Sequence, residues 1–338
     1  MNSRHGCFYG LIVAFLSVAP AISSASVERR LDGFNVIVSP RHPFGTVSAM
    51  QSLLLAKQAG AKTIAVVPFL WQASPESVNL VRGSDMDDEE LRQAIRDVRN
   101  LGLISIVKPH VWVDGSWAGA VAAASEESWR TWFSRYTKEI VHMARIAAEE
   151  RADIFCIGTE LVKSIDRPEW RDLIKAVRAA FTGEIIYAAH NVEEAEAVPF
   201  WDRLDAISAT LYPSLGADSD RVYRLAVMHA TAARLDALAA RTGKRVIVGE
   251  IGIRSAQGAA AKPWESAEER EAAADLALQA EVLADWLQVL ARPSIRGVLV
   301  WRWFTDPHAG GPADTDFTVQ GKPAEGVLLC AWTLRCGR

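Results

Sequence analysis

Short runs of β-branched and apolar residues alternate along the chain with longer stretches in which apolar positions recur every three or four residues. The runs are 34–38 (FNVIV), 63–68 (TIAVVP), 103–108 (LISIVK), 152–158 (ADIFCIG), 184–188 (EIIYA), 206–211 (AISATL), 245–250 (RVIVGE) and 297–302 (GVLVWR). Each is almost continuously apolar, which suits a parallel strand covered on both faces. Helical patterns are predicted at 46–60, 87–101, 126–150, 168–181, 193–204, 220–242 and 265–291. Their ends carry matching signals. Ser84-Asp85 precede the acidic turn Asp87-Asp88-Glu89-Glu90, Gly60, Gly102 and Gly243 stand where helices stop, and Pro168 sits at a helix start.

Strand-then-helix units repeated without a Pro/Gly/Ser-rich linker predict an α/β fold, a single (β/α)8 TIM barrel over residues 27–338. An open doubly wound sheet competes with it. Its dinucleotide form requires Gly-x-Gly-x-x-Gly after the first strand, whereas residues 39–45 read SPRHPFG.

Composition narrows the function. With 37 Lys+Arg against 41 Asp+Glu and no basic run, the chain lacks a footprint for nucleic acid. Residues 1–26 combine Arg4, the apolar stretch 8–22 and the small residues Ser23-Ser24-Ala25-Ser26, the layout of a cleaved signal peptide. The apolar stretch is shorter than the ~20 residues of a membrane span, so the expectation is a secreted or periplasmic monomer without stable membrane insertion. Cys7 leaves with the signal. Cys156, inside an apolar run, reads as a small buried hydrophobe, and Cys330 and Cys336 are close enough in sequence to pair in an oxidising compartment. No Cys/His spacing fits a metal site, and no cofactor motif occurs.

In a barrel of this kind the site forms at the C-terminal ends of the strands. Two carboxylates end strands there, Glu160 on the fourth (IFCIGTEL) and Glu250 on the seventh (VIVGEIG). Around them the strand ends supply Trp71, Lys108, His110, Trp112, His190, Asn191, Tyr212, Trp301 and Trp303. Paired carboxyls are what glycosidic-bond cleavage needs, one to protonate the leaving oxygen and one to attack or activate water. Tryptophan and tyrosine stack on the C–H faces of sugar rings, while His, Asn and Lys meet the hydroxyls. By strand alternation Trp301 and Trp303 share one face. Of the 12 tryptophans, those in helical stretches read as packing between helices and barrel.

The segments AVVPFLWQ (65–72), LISIVKPHVWV (103–113), FCIGTEL (155–161), VGEIGIR (248–254), VLVWRWF (298–304) and GKPAEGVL (321–328) resemble glycoside hydrolase family 113 of the clan A retaining barrels. The resemblance runs over most of residues 33–330. It implies a β-1,4-mannanase-like activity by double displacement, with Glu160 as acid/base, Glu250 as nucleophile and no cofactor. It also implies that Trp301 and Trp303 border the sugar at the cleavage point and that Tyr212 contacts the nucleophile. Such a mechanism calls for an ionised Glu250 and a protonated Glu160 before reaction. One departure stands out: Thr159 occupies the position where many clan A enzymes have Asn, so a contact to the sugar 2-hydroxyl is expected from Asn191 or His110. Two alternatives stay open, hydrolysis of another β-linked exopolysaccharide and a non-catalytic carbohydrate-binding barrel.

Overall fold

The computed structural model describes residues 30–84 and 86–333, together with Gly6. Apart from Gly6, the signal read at 1–26 lies outside the described residues, as do Asp85 and Cys336. Cys330 is disulfide-bonded.

Eight parallel strands close into a barrel: β1 (Gly33–Ile37), β2 (Thr63–Val66), β5 (Ile104–Val107), β7 (Ile154–Thr159), β8 (Glu184–His190), β9 (Ile207–Leu211), β10 (Val246–Ile251) and β11 (Ile295–Phe304). β1 pairs with both β2 and β11, which completes the circle. The three remaining strands, β3 (Phe69–Gln72), β4 (Val81–Arg82) and β6 (His110–Val113), form a small sheet continuing from the ends of β2 and β5. It sits outside the expected plan. Closure demands close backbone approach between β1 and β2, because a Cβ on Gly33 would lie 1.8 Å from the Thr63 carbonyl oxygen.

Side-chain alternation separates two cores. Inside the barrel lie Leu31, Ala65, Ile106, Ile154, Cys156, Ile186, Ala188, Ile247 and Leu299. Their neighbours along the strands, such as Ile185, Tyr187 and Ala189 on β8, face outward into a larger annulus shared with the helices. Trp129, Trp132, Trp170 and Trp286 all pack in that annulus.

The helices are α1 (Val47–Gln58), α2 (Asp88–Asn100), α3 (Glu126–Glu149), α4 (Glu169–Ala180), α5 (Asn191–Ala197), α6 (Arg221–Thr242), α7 (Leu276–Val289) and α8 (Pro323–Thr333). Side-chain oxygens cap several of them: Thr46, Asp87, Ser125, Asp220 and Asp275 each accept a first-turn N–H. Three elements depart from expectation. The stretch 193–204 stops as α-helix at Ala197, because Val198 precedes Pro199 and takes ψ 120°, the extended geometry a following proline imposes. The pattern at 265–291 becomes helix only from Leu276. Upstream, the buried Arg254 guanidinium collects the carbonyls of Ser266 and Arg270 at 3.0 and 2.9 Å, and so withdraws them from a helical ladder. Finally α8 completes the eighth unit, with Pro323 at its first position and Leu328 and Trp332 in the core.

Candidate active site

Both glutamates come within two residues after a glycine at a break in strand register, Gly158 before Glu160 and Gly249 before Glu250. On β7, Cys156 pairs with Ile186 and Thr159 with Ala188, so one extra residue is accommodated near Gly158. On β10, Val248 pairs with Ala209 and Glu250 with Thr210, so the extra residue is Gly249. Such bulges re-aim the side chain that follows. Glu160 then adopts a left-handed backbone, φ 57°, with its N–H on the Ala188 carbonyl at 2.8 Å.

β9 lies beside both β8 and β10, and its end reaches both carboxylates. Thr210 and Tyr212, two residues apart, point the same way. Thr210 Oγ1 donates to Glu160 Oε1 at 2.5 Å, and the Tyr212 hydroxyl donates to Glu250 Oε2 at 2.9 Å. The other oxygen of Glu250 receives the ammonium of Lys108, a side chain only 1% exposed. Glu160 Oε1 also faces His190 Nδ1 at 3.1 Å.

The electrostatics differ between the two. Burial pushes Glu250 above the usual carboxylate range; the Lys108 charge opposes that rise, and Glu160 adds to it. Burial also acts to raise Glu160; when His190 is charged, that imidazolium, with smaller contributions from His110 and the Thr210 hydrogen bond, outweighs burial and the carboxyl falls to about 2, while His190 is raised in turn. With a charged imidazole the order is therefore the reverse of an ionised Glu250 beside a protonated Glu160. His110 is lowered to about 4, chiefly by burial and then by the Lys108 charge. It is neutral at pH 7.

The aromatic residues divide. Trp301 lies beneath the Lys108 ammonium, 5.4 Å from ring centroid to Nζ, and its ring is 6.4 Å from that of His110. From there a row of rings runs outward over one face of the small sheet: His110 to Phe69 at 5.9 Å, Phe69 to Trp112 at 5.9 Å and Trp112 to Trp71 at 5.7 Å. Trp71 and Trp112 are 43% and 44% exposed. Across the mouth Trp117 packs on His190 at 4.8 Å.

Trp303 does not join them. β11 carries one residue more than β1 at this level, since Asn35 pairs with Trp301 and Val36 with Trp303. The bulge reverses the expected parity, so Trp303 turns into the outer annulus. There it is 1% exposed, packs on Phe34 at 4.7 Å and donates Nε1–H to Ser52 of α1 at 2.9 Å. Thr159 also turns away from the mouth, buried with Oγ1 on the Pro109 carbonyl at 3.2 Å. Asn191, at φ 53°, accepts the Tyr212 N–H on Oδ1 at 2.7 Å and meets His190 Nε2 through Nδ2 at 3.0 Å.

Thr210 and Phe69 belong to the site and were not foreseen, and neither was Asn35, whose buried amide donates to the Gly249 carbonyl at 2.9 Å and props the bulge before Glu250. Thr210 was findable from its spacing to Tyr212; Asn35 was marked only as the polar residue inside FNVIV. Among the described residues no group of three or more His, Cys, Asp or Glu side chains could hold a metal ion, and no helix is long and apolar enough to cross a membrane.

A closed (β/α)8 barrel with a buried and a largely buried glutamate, differently partnered, at its mouth and a row of aromatic rings leading away defines a carbohydrate-active class of barrel. The chain belongs to glycoside hydrolase family 113, whose profile matches residues 34–322, and it is a β-mannanase-like glycoside hydrolase. Two structures of a GH113 β-1,4-mannanase, one of them a complex, are each 27% identical to it, with TM-scores of 0.81 and 0.80; each alignment covers 91% of this chain and 100% of the other. The GH113 β-mannanase AaManA from Alicyclobacillus acidocaldarius, in complex with ManMIm, shares the fold at 24% identity and a TM-score of 0.79 over 90% of this chain and 98% of that one. A β-glucuronidase from Ruminococcus gnavus shares the barrel alone, at 12% identity and a TM-score of 0.62 over 90% of this chain and 50% of that one. No curated protein sequence matched.

Proposed function

We propose that this enzyme cleaves β-1,4-mannan-type chains with retention of anomeric configuration, Glu160 acting as acid/base and Glu250 as nucleophile, outside the cytoplasm. The observation that carries the reading is the unequal partnering of the two carboxylates beside Trp301. Both oxygens of Glu250 are held, one by Lys108 and one by Tyr212, which fixes its direction and favours the charged form needed to attack C1. Glu160 has its contacts on Oε1, and among the described residues Oε2 has no partner, so that oxygen can exchange a proton with substrate.

In the first step Glu160 gives its proton to the glycosidic oxygen as Glu250 bonds to C1. In the second, Glu160 takes a proton from water as water displaces Glu250. Trp301 offers a stacking face at the cleaved sugar, and Phe69, Trp71 and Trp112 offer one to neighbouring units. The names of the similar GH113 structures support a mannan-type substrate. The composition of residues 1–26 supports export.

Product analysis on mannan, glucomannan and an acidic exopolysaccharide tests the reading, with NMR of the first product formed. The expected result is release from mannan with the β-anomer appearing first. An α-anomer first would overturn retention, and release from the acidic polymer alone would overturn the substrate.

A further inference from the structure

His190 stands between Glu160 and Asn191, and its two ring nitrogens have partners of opposite demand. Asn191 Oδ1 accepts the backbone N–H of Tyr212 at 2.7 Å. A peptide N–H only donates, so this contact settles which end of the amide is oxygen. Nδ2 therefore faces His190 Nε2 at 3.0 Å, and an NH2 group has only hydrogens to offer. Nε2 must present its lone pair, and the ring hydrogen sits on Nδ1, 3.1 Å from Glu160 Oε1.

We infer that Asn191 is a positioning residue that decides where the acid proton sits: by donating to His190 Nε2 it holds the imidazole neutral and leaves the proton of the His190–Glu160 pair on Glu160. This rests on reading Glu160 as the acid/base. The charges around the ring pull the other way. Glu160 just past β7, Glu250 on β10 and Glu194 on α5, which accepts the His190 backbone N–H, all favour an imidazolium; Lys108 pairs with Glu250, and the uncharged Trp117 ring covers one side. A second ring proton would set N–H against N–H at the Asn191 contact. Asn191 is held in that orientation by its left-handed backbone at the start of α5, a conformation Asn tolerates, and by Tyr212.

The proton inventory closes on this arrangement. Thr210 and His190 both address Oε1, so the acid proton occupies Oε2. It passes to the leaving oxygen as the C1–O bond breaks and Glu250 bonds to C1. A proton from water returns to Glu160 as the C1–Glu250 bond breaks. The Nδ1 hydrogen stays on His190 throughout.

Asn191→Asp tests this, because Asp keeps the size, tolerates the left-handed backbone and still accepts from Tyr212, but offers His190 an acceptor. Nitrogen-15 NMR of imidazole-labelled protein at pH 7, with His190 assigned through His190→Gln, should show the neutral Nδ1–H form in the wild type and an imidazolium in the variant. On oligosaccharides, whose leaving group needs a proton, kcat/KM should fall roughly 100-fold. On a 2,4-dinitrophenyl glycoside, which needs none, the loss should be at least about 10-fold smaller. An imidazolium in the wild type, or an equal loss on both substrates, would overturn the inference. Failure of the acid/base reading shows separately, as a Glu160→Ala enzyme that loses the same factor on both substrates, and leaves the NMR result to stand by itself.

Discussion

The two mouth glutamates begin alike and end differently. Each ends a strand, each follows a glycine bulge, and each is largely withdrawn from water. Glu250 is gripped at both oxygens by an ammonium and a phenol from different strands, whereas Glu160 is approached at one oxygen by an imidazole and a hydroxyl. Two copies of one residue thereby acquire distinct surroundings through their neighbours alone: in the proposed reading, full occupancy orients a charge, and an oxygen without a partner among the described residues leaves room for a proton to come and go.

The sharpest way to break the comparison is to remove each carboxylate. Glu250→Ala should lower turnover by roughly 10^4-fold or more on every substrate, and azide should restore it with an inverted glycosyl azide product. Glu160→Ala should lose about 10^2- to 10^4-fold on oligosaccharides and much less on dinitrophenyl glycosides. Steady-state kinetics with both leaving groups checks this; identical profiles for the two variants would end the division of roles.

Lys108→Met probes what holds Glu250 charged. Burial alone raises that carboxyl, and without the opposing cation it should bind its proton to still higher pH. Activity is then lost from the acid side, so the lower limb of the kcat/KM profile should move to higher pH, with a loss at neutral pH of about 10-fold or more. A limb left in place would mean that Lys108 does not set the charge state of Glu250.

Away from the carboxylates the effects shrink. Replacing Trp71 and Trp112 together by Ala should raise KM for polymeric substrate by roughly 10-fold, given about 0.5–1.5 kcal/mol per stacked aromatic pair, while small aryl glycosides are unaffected. Equal losses on both substrates would detach the small sheet from substrate binding. Trp303→Phe should cost about 1–2 kcal/mol of stability through the lost Ser52 hydrogen bond and ring volume, with KM unchanged. Thermal melts beside kinetics decide that point.

Much of this molecule is readable from local pattern. All eight barrel strands were legible to within about two residues, because each run is covered on both faces and shows it as uninterrupted apolarity. Glu160 and Glu250 were legible for the same reason, as carboxylates where such runs end. Trp303 was misread because alternation assumes an unbroken ladder, and the extra residue in β11 exists only relative to β1. The delayed start of α7 was illegible because its helix-like sequence is overridden by a buried arginine that claims its carbonyls.

The sequence by itself therefore determined the barrel, its order of elements and which strand ends carry carboxylates, since periodicity is a property of neighbours along the chain. Only the tertiary structure decided which way each side chain turns after a bulge and which donor each carboxylate oxygen meets. Lys108 and Glu250, or Asn191, His190 and Glu160, become partners because closure of the sheet brings together ends that are distant along the chain, and local pattern holds no record of those distances.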